Sequence, residues 1–152
     1  MLYQKELHAS AVSSYEYLLH QDQYHLLPEW CINSRGAVKS VLLFSKCPLD
    51  DLSGKKVLLS NHSATSVNLL HLIFEHRGIK PASCSPYDGS ENALLNCDAV
   101  LLIGDPALKF EDPNFPHVLD LAEAWQAQSA CPIVFAFQAI RREAWPTYQT
   151  EI

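Results

Sequence analysis

Glycine is scarce in this chain, five in 152 residues, and no G-x-x-x-x-G-K-[ST] run occurs. A phosphate-cradling P-loop is therefore excluded. The five cysteines (Cys31, Cys47, Cys84, Cys97 and Cys131) are scattered and odd in number, and no two form a C-x-x-C pair. That argues against a structural zinc site and against a disulfide framework, and leaves free thiols in a reducing compartment as the expectation. Seven histidines supply no H-E-x-x-H, and His71 and His76 stand five apart, off a shared helical face. There is no G-x-S-x-G elbow. Apolar runs such as AVLLIG fall far short of the ~20 residues that a membrane-spanning helix requires. MLYQKELHAS lacks the basic-then-apolar order of a signal peptide, so a cytoplasmic location is expected. Positive charge is in deficit, with 11 Lys and Arg against 17 Asp and Glu and a formal net charge of −6. Such a field repels nucleic acid and anionic membrane surfaces, and neither is expected as a partner. An anionic ligand would have to be captured by local groups.

What remains is globular composition, 48% hydrophobic and 18% charged, enough for one ordinary domain or two small lobes. No repeat or low-complexity tract interrupts it. HASAVSS reads as a strand. SYEYLLHQ follows with helical apolar spacing at Tyr15, Leu18 and Leu19, and Ser13-x-x-Glu16 matches a capping box. SVLLFSK is a β-prone run, and Leu49 to Leu52 suggest a helical turn. KKVLLS is the next strand and SVNLLHLIFEHRG the next helix. In that helix Val67, Leu70 and Phe74 share a stripe with Leu69 and Ile73 beside it, and Gly78 is the C-terminal cap. IKPASCSP is extended, with Pro81 suggesting an edge. ENALLNC is a short helix, and DAVLLIGD a strand of the buried parallel type. Asp105-Pro106 reads as an N-cap followed by proline at the first helical position. VLDLAEAWQAQ is an amphipathic helix, and CPIVFAFQAI a last buried strand. This alternation predicts an α/β fold with a mainly parallel sheet and flanking helices.

In such sheets ligands sit beyond the carboxyl ends of strands, beside helix starts. Three strand ends here carry polar residues: Ser13 and Ser14, the stretch Ser60 to Ser66, and Asp105. Unpaired N–H groups and the positive dipole end of a helix, with hydroxyls beside them, are what a carboxylate or phosphate requires. The same residues also suit plain capping, and from composition alone both readings stay open. His62 lies inside the densest of these joints, where a solvated loop histidine is the simpler account.

Several phrases, in order, carry a resemblance: AVSSYEY, SVLLFSK-x-PL, DLSGKKVLLSNHSATSVNLL, DAVLLIGDPAL and PIVFAFQAIRR. Together they resemble chorismate dehydratase of the futalosine route to menaquinone, over roughly Leu7 to Glu143. S-A-T-S-V-x-L-L and L-L-I-G-D-x-A-L are the most specific parts. The sister enzyme 1,4-dihydroxy-6-naphthoate synthase, which usually has a threonine-rich joint in place of S-A-T-S, ranks second. The resemblance implies the two-lobed type II periplasmic-binding-protein fold, used as a cytoplasmic enzyme without cofactor or metal. Family members are longer at both ends, and their G-E-L-D-like phrase is altered to KELH at Lys5 to His8. Against that pattern the chain is expected to hold one complete lobe and a fragment of the other. Residues 1–44 would be a first-lobe fragment with the first hinge strand, 45–131 the second lobe, and 132–152 the return hinge strand and the start of the first lobe's closing part. SVLLFSK and PIVFAFQAI would then cross the hinge.

The implied reaction removes the ring hydroxyl of chorismate with a neighbouring ring proton, giving 3-[(1-carboxyvinyl)oxy]benzoate. The aromatic product makes this strongly downhill, so binding, orientation and exclusion of water could suffice. A carboxylate of the substrate could itself take the proton. The resemblance assigns the grip on one substrate carboxylate to Ser63, Thr65 and Ser66, with Ser13 and Ser14 contributing from the first lobe. Ser40 would line the cleft, Asn61 would position the loop, and Asp105 would cap its helix or orient a hydroxyl. A first lobe left partly uncovered predicts self-association, segment exchange or pairing with a complementing chain. The alternatives are a non-catalytic small-carboxylate-binding module and a solute-binding protein for transport, the latter disfavoured by the missing export signal.

Overall fold

The computed structural model describes residues 7–149; Lys5 and Glu6 of the KELH phrase lie outside them. The chain divides into two compact units. One takes the described residues up to Asn33 and from Val134 onward, and the other is Ser34–Ile133.

In the first unit β1 (Ala9–Ser13), β2 (Tyr24–Ser34) and β8 (Ile133–Arg141) form a three-stranded sheet in the order β1-β8-β2. β1 runs antiparallel to β8, from Ala9 opposite Ile140 to Ser13 opposite Ala136. Val12, Tyr24 and Ala139 are its buried centre, with Tyr17 and Leu26 packed against them. The first helix, α1 (Ser14–Leu19), starts where expected, with the Ser13 hydroxyl accepting from the Glu16 N–H at 3.1 Å. The Glu16 carboxylate accepts from the Tyr24 hydroxyl at 3.2 Å. Leu18 and Leu19, which mark this helix in the sequence, are 67% and 57% exposed. The Arg142 guanidinium ties down the turn before β2, donating to the carbonyls of Asp22 and Tyr24, both at 2.9 Å. A short α6 (Trp145–Tyr148) follows β8.

The second unit is built on a five-stranded sheet in the order β5-β4-β6-β3-β7. Its strands are β3 (Val41–Ser45), β4 (Lys56–Leu59), β5 (Ser83–Pro86), β6 (Ala99–Ile103) and β7 (His117–Asp120). β4 is parallel to β5 and β6, while β3 is antiparallel to both β6 and β7. Four strands thus share one direction and β3 alone opposes them. β5 is one of the two edges, as Pro81 suggested, and β7 is the other. β3 and β6 are almost continuously apolar because helices cover both faces. Leu42 and Phe44 of β3, and Val100 and Leu102 of β6, join Leu58, Ala107, Phe110 and Phe115 on one face. The alternate residues point the other way, where the helix Leu121–Ser129 packs on β3 and against the helix Ala64–Arg77.

The second helix, α2 (Ala64–Arg77), has Ser63 as N-cap and buries Leu69, Leu70, Ile73 and Phe74. It ends in a Schellman turn: Gly78 adopts φ 69°, its N–H reaches the Glu75 carbonyl at 3.1 Å, and the Ile79 N–H reaches Phe74 at 2.8 Å. A single 3-10 turn occupies Leu49–Asp51 and a short α3 Glu91–Leu95.

Four expectations are corrected. The strand β2 has no counterpart in the sequence reading; Pro28 and the left-handed Glu29 (φ 68°) break its pattern. VLDLAEAWQAQ is not one helix. Its first part is β7, paired with β3, and the helix α5 (Leu121–Ser129) begins only after Asp120, whose carboxylate caps it. The N-cap of α4 (Asp105–Lys109) is Gly104 and not Asp105. The turn there needs φ 69° and ψ −140°, which only glycine adopts without strain, so Asp105 becomes the first helical residue. Finally, SVLLFSK, as β3, lies inside the second unit between β6 and β7. The passages between units fall at Asn33–Ser34, in β2, and at Ile133–Val134, in β8.

Candidate functional site

Parallel pairing of β4 and β5 sets Leu59 beside Pro86. The residues that leave these two strands must therefore travel side by side. Ser60, Asn61 and His62 from one, and Tyr87, Asp88 and Gly89 from the other, line a cleft of ≈ 310 Å³ closed by Leu102, Ile103 and Pro106. The Tyr87 N–H donates to the Leu59 carbonyl at 2.8 Å, and the Asn61 side-chain amide donates to the Tyr87 carbonyl at 3.2 Å. Asn61 so fastens one wall to the other. The Ser60 hydroxyl, buried, accepts from the His62 N–H at 3.2 Å. Asp88 accepts from the Ser90 N–H at 2.9 Å, and hydrogen bonds from Ser90 hold its carboxyl below the usual range. Burial, reinforced by Asp88, Cys97 and Glu91, pushes the Tyr87 phenol up, so it stays a neutral hydroxyl.

Directly after this wall comes the start of α2. The Ser63 hydroxyl accepts from the Ser66 N–H at 3.2 Å and from the Ser66 hydroxyl at 3.1 Å. A serine oxygen has two acceptor sites and one proton. The two hydroxyls share one hydrogen bond, and Ser63, half-buried, is the more accessible of the pair. A hydroxyl at the positive end of a 14-residue helix favours a carboxylate. Ser66 itself is 1% exposed and Thr65 7%. Ser66 is thus buried beside Ser63 and presents no hydroxyl at the surface.

The other expected residues are placed as follows. Ser40 is half-buried at the start of β3, and its carbonyl accepts from the Gly104 N–H at 2.7 Å. Asp105 is exposed and pairs with Lys109 at 2.9 Å, one residue before the cleft-lining Pro106. Asn61 is the expected residue that lines the cleft, Ser63 follows two positions on, and Ser40 and Asp105 flank the ends of β3 and β6. Ser13 and Ser14 stand at the carboxyl end of β1 in the first unit. There Ser13 caps α1, and the Ser14 hydroxyl donates to the Val134 carbonyl at 2.6 Å. Tyr87, Asp88 and Gly89 were missed; the edge strand ending in Pro86 was legible, but its register against β4 was not. Among the described residues no group of three or more His, Cys, Asp or Glu side chains is arranged to hold a metal ion, and no helix is long and apolar enough to cross a membrane.

A family model described as menaquinone biosynthesis matches residues 1–152. The chain belongs to this menaquinone biosynthesis family. Chorismate dehydratase of Thermus thermophilus is 40% identical over 162 residues, covering 96% of this chain and 59% of that protein. Among solved structures, protein AF1704 of Archaeoglobus fulgidus is similar with a TM-score of 0.64 and 25% identity, over 93% of this chain and 52% of that one. The aliphatic sulphonate binding protein SsuA of Escherichia coli matches 99% of this chain and 53% of its own, with a TM-score of 0.56 and 15% identity. This member of the menaquinone biosynthesis family therefore has the α/β periplasmic-binding-protein-like fold. It spans between one half and three fifths of the length of these relatives.

Proposed function

We propose that this chain works in a chorismate dehydratase-type hydro-lyase of the futalosine route, in the cytoplasm, with the Ser34–Ile133 unit as its anion-gripping lobe. The reaction eliminates the ring hydroxyl of chorismate and an adjacent ring proton as water, leaving 3-[(1-carboxyvinyl)oxy]benzoate. Elimination of water leaves the electron count unchanged, so no redox partner is needed. The observation that carries the reading is the Ser63 hydroxyl at the start of α2, beside an open cleft. The 40% identity to a chorismate dehydratase across nearly the whole chain supports it.

In this reading Ser63 and the first turn of α2 hold one carboxylate of the dianion. Ser66 and Thr65 fix that turn from beneath, and Asn61 keeps the two cleft walls together. Ser40 and Asp105 flank the cleft; Asp105, neutralised by Lys109, orients a hydroxyl rather than facing a carboxylate. Ser13 and Ser14 serve the equivalent strand end in the first unit. The proton acceptor is the substrate's enolpyruvyl carboxylate, and an amide in its place should abolish turnover. Leu18, Leu19, Trp30 and Ile32, between 55% and 68% exposed, support self-association or pairing with a complementing chain through the first unit. Light scattering that shows only monomer across micromolar concentrations would remove that part.

The test is incubation with chorismate and chromatographic detection of the aromatic product, alongside calorimetric titration. Product formation is expected. Binding without turnover would overturn the lyase reading and leave a chorismate-binding module, and neither binding nor product would overturn both.

A further inference from the structure

A second cavity lies at the opposite end of the same sheet. β3 runs against β6, so Ser45 pairs with Ala99, the first residue of β6, whereas the cleft at Ser60 lies beyond Ile103, the last. Four strand steps separate these ends by about 13 Å. Around Lys46 and the loop before β7, a cavity of ≈ 530 Å³ is lined by Phe110, Phe115, Leu94 and Leu95 and rimmed by Glu91, Glu111 and Asp112. Its floor is aromatic: the Phe110 and Phe115 rings meet edge to face at 5.6 Å. Leu95 at its lip is 74% exposed.

Lys46 is the cation of this cavity, and it is already engaged. Its ammonium donates to the carbonyls of Leu94 and Leu95, at 3.1 and 3.2 Å, and lies 5.0 Å from the centre of the Phe115 ring. It closes the carboxyl end of α3 and has little left for a ligand. The carboxylates are in the opposite condition. Asp112 spends one oxygen on the Asn114 backbone and side-chain N–H groups. Glu91 and Glu111 are exposed, with no ion pair or side-chain hydrogen bond among the described residues. Three carboxylates against one engaged ammonium leave an excess of two negative charges over an aromatic floor.

We propose that this cavity is a binding site for a small organic cation with an apolar body, an arylalkyl- or alkylammonium. The ring or chain would lie on Phe110 and Leu95, with Phe115 buried behind them, and the ammonium would meet Glu91 and Glu111. Such a ligand combines apolar burial with ion pairing. The volume suits a small molecule, since such pockets run from roughly 300 to 1,000 Å³, and the charge selects against the dianion proposed for the other cleft.

The experiment titrates the full chain with 2-phenylethylammonium, neutral 2-phenylethanol and anionic 3-phenylpropanoate, following backbone amide resonances. The cation should shift the amides of Leu95, Glu111 and Asn114, and should bind roughly tenfold more tightly than the alcohol, the scale of two exposed ion pairs. The anion should not bind there. Glu91→Gln with Glu111→Gln should reduce the cation to the affinity of the alcohol. In 1 M salt, where charges are screened beyond roughly 3 Å, the preference should vanish without any substitution. Equal binding of cation and alcohol, preference for the anion, shifts confined to Ser60–Gly89, or no shifts at all would each overturn the proposal.

Discussion

The Asp120 carboxylate accepts a hydrogen bond from the Lys39 backbone N–H at 2.6 Å, across 81 positions of sequence. Its other oxygen accepts from the N–H groups of Ala122 and Glu123 at 3.0 and 3.2 Å. One side chain therefore starts α5 and also holds Lys39, a left-handed residue at φ 64°, at the approach to β3. Asp120→Ala should cost about 2–3 kcal/mol in denaturant unfolding, a cap plus a charge-assisted bond. Asp120→Asn keeps one acceptor oxygen and should cost less. A loss below about 0.5 kcal/mol for the alanine variant would show that the Lys39 contact is incidental.

Stability and ligand affinity should separate at Ser63. Ser63→Gly costs only a few tenths of a kcal/mol as an N-cap, whereas Ser63→Ala costs about 1 kcal/mol. Both remove the hydroxyl, so both should weaken chorismate binding by roughly ten- to a hundredfold, since hydrogen bonds to charged groups contribute about 1.5–3 kcal/mol. Ser66→Ala should weaken binding less, because Ser66 is buried behind Ser63. Calorimetry showing equal losses for Ser66→Ala and Ser63→Gly would mean that Ser66 meets the ligand itself.

Alkaline pH should erode stability. Burial pushes the thiols of Cys47 and Cys97 above the ordinary 9.0, and the Tyr87 phenol above 10.0. Folding favours the protonated form of each, so their contribution is complete below pH 9 and falls as pH rises through the folded values. Thermal melts between pH 7 and 11 should show this decline, shallower in Cys97→Ala. Alkylation followed by peptide mapping should label exposed Cys31 and Cys131 first and Cys97, 4% exposed, last.

Gly78→Ala tests the Schellman turn. A Cβ there meets nothing within 4 Å, yet φ is 69°. The penalty is therefore backbone strain alone, about 1 kcal/mol. A melting temperature equal to that of the unsubstituted chain would contradict the left-handed cap.

Local chemistry was legible wherever one residue type dictates one conformation. Ser63 and Gly78 bracket α2, Ser13 opens α1, and the apolar runs at 41–45 and 99–103 are the central strands. Direction and register were not, because alternation along a strand is the same whichever way its neighbour runs. Hence β3 could be recognised as a strand but not as the one that opposes its neighbours, and Tyr87 could not be paired with Ser60. At VLDLAEAW the apolar spacing fits a helix throughout; only pairing with β3 ends it at Asp120. In the candidate site, hydroxyl density at 60–66 marked the start of α2, which lies beside the cleft. It could not show that Ser66 and Thr65 turn inward, since burial of one helical face depends on what packs beneath.

The reversed course of β3 ties recognition to folding. Ser40 reaches Gly104 at the far end of β6 only after the chain has doubled back between two strands that lie later in sequence. Any anion that requires this rim therefore binds the closed sheet and not its precursors, so saturating ligand should raise the melting temperature by mass action and slow amide exchange across β3, β6 and β7 together.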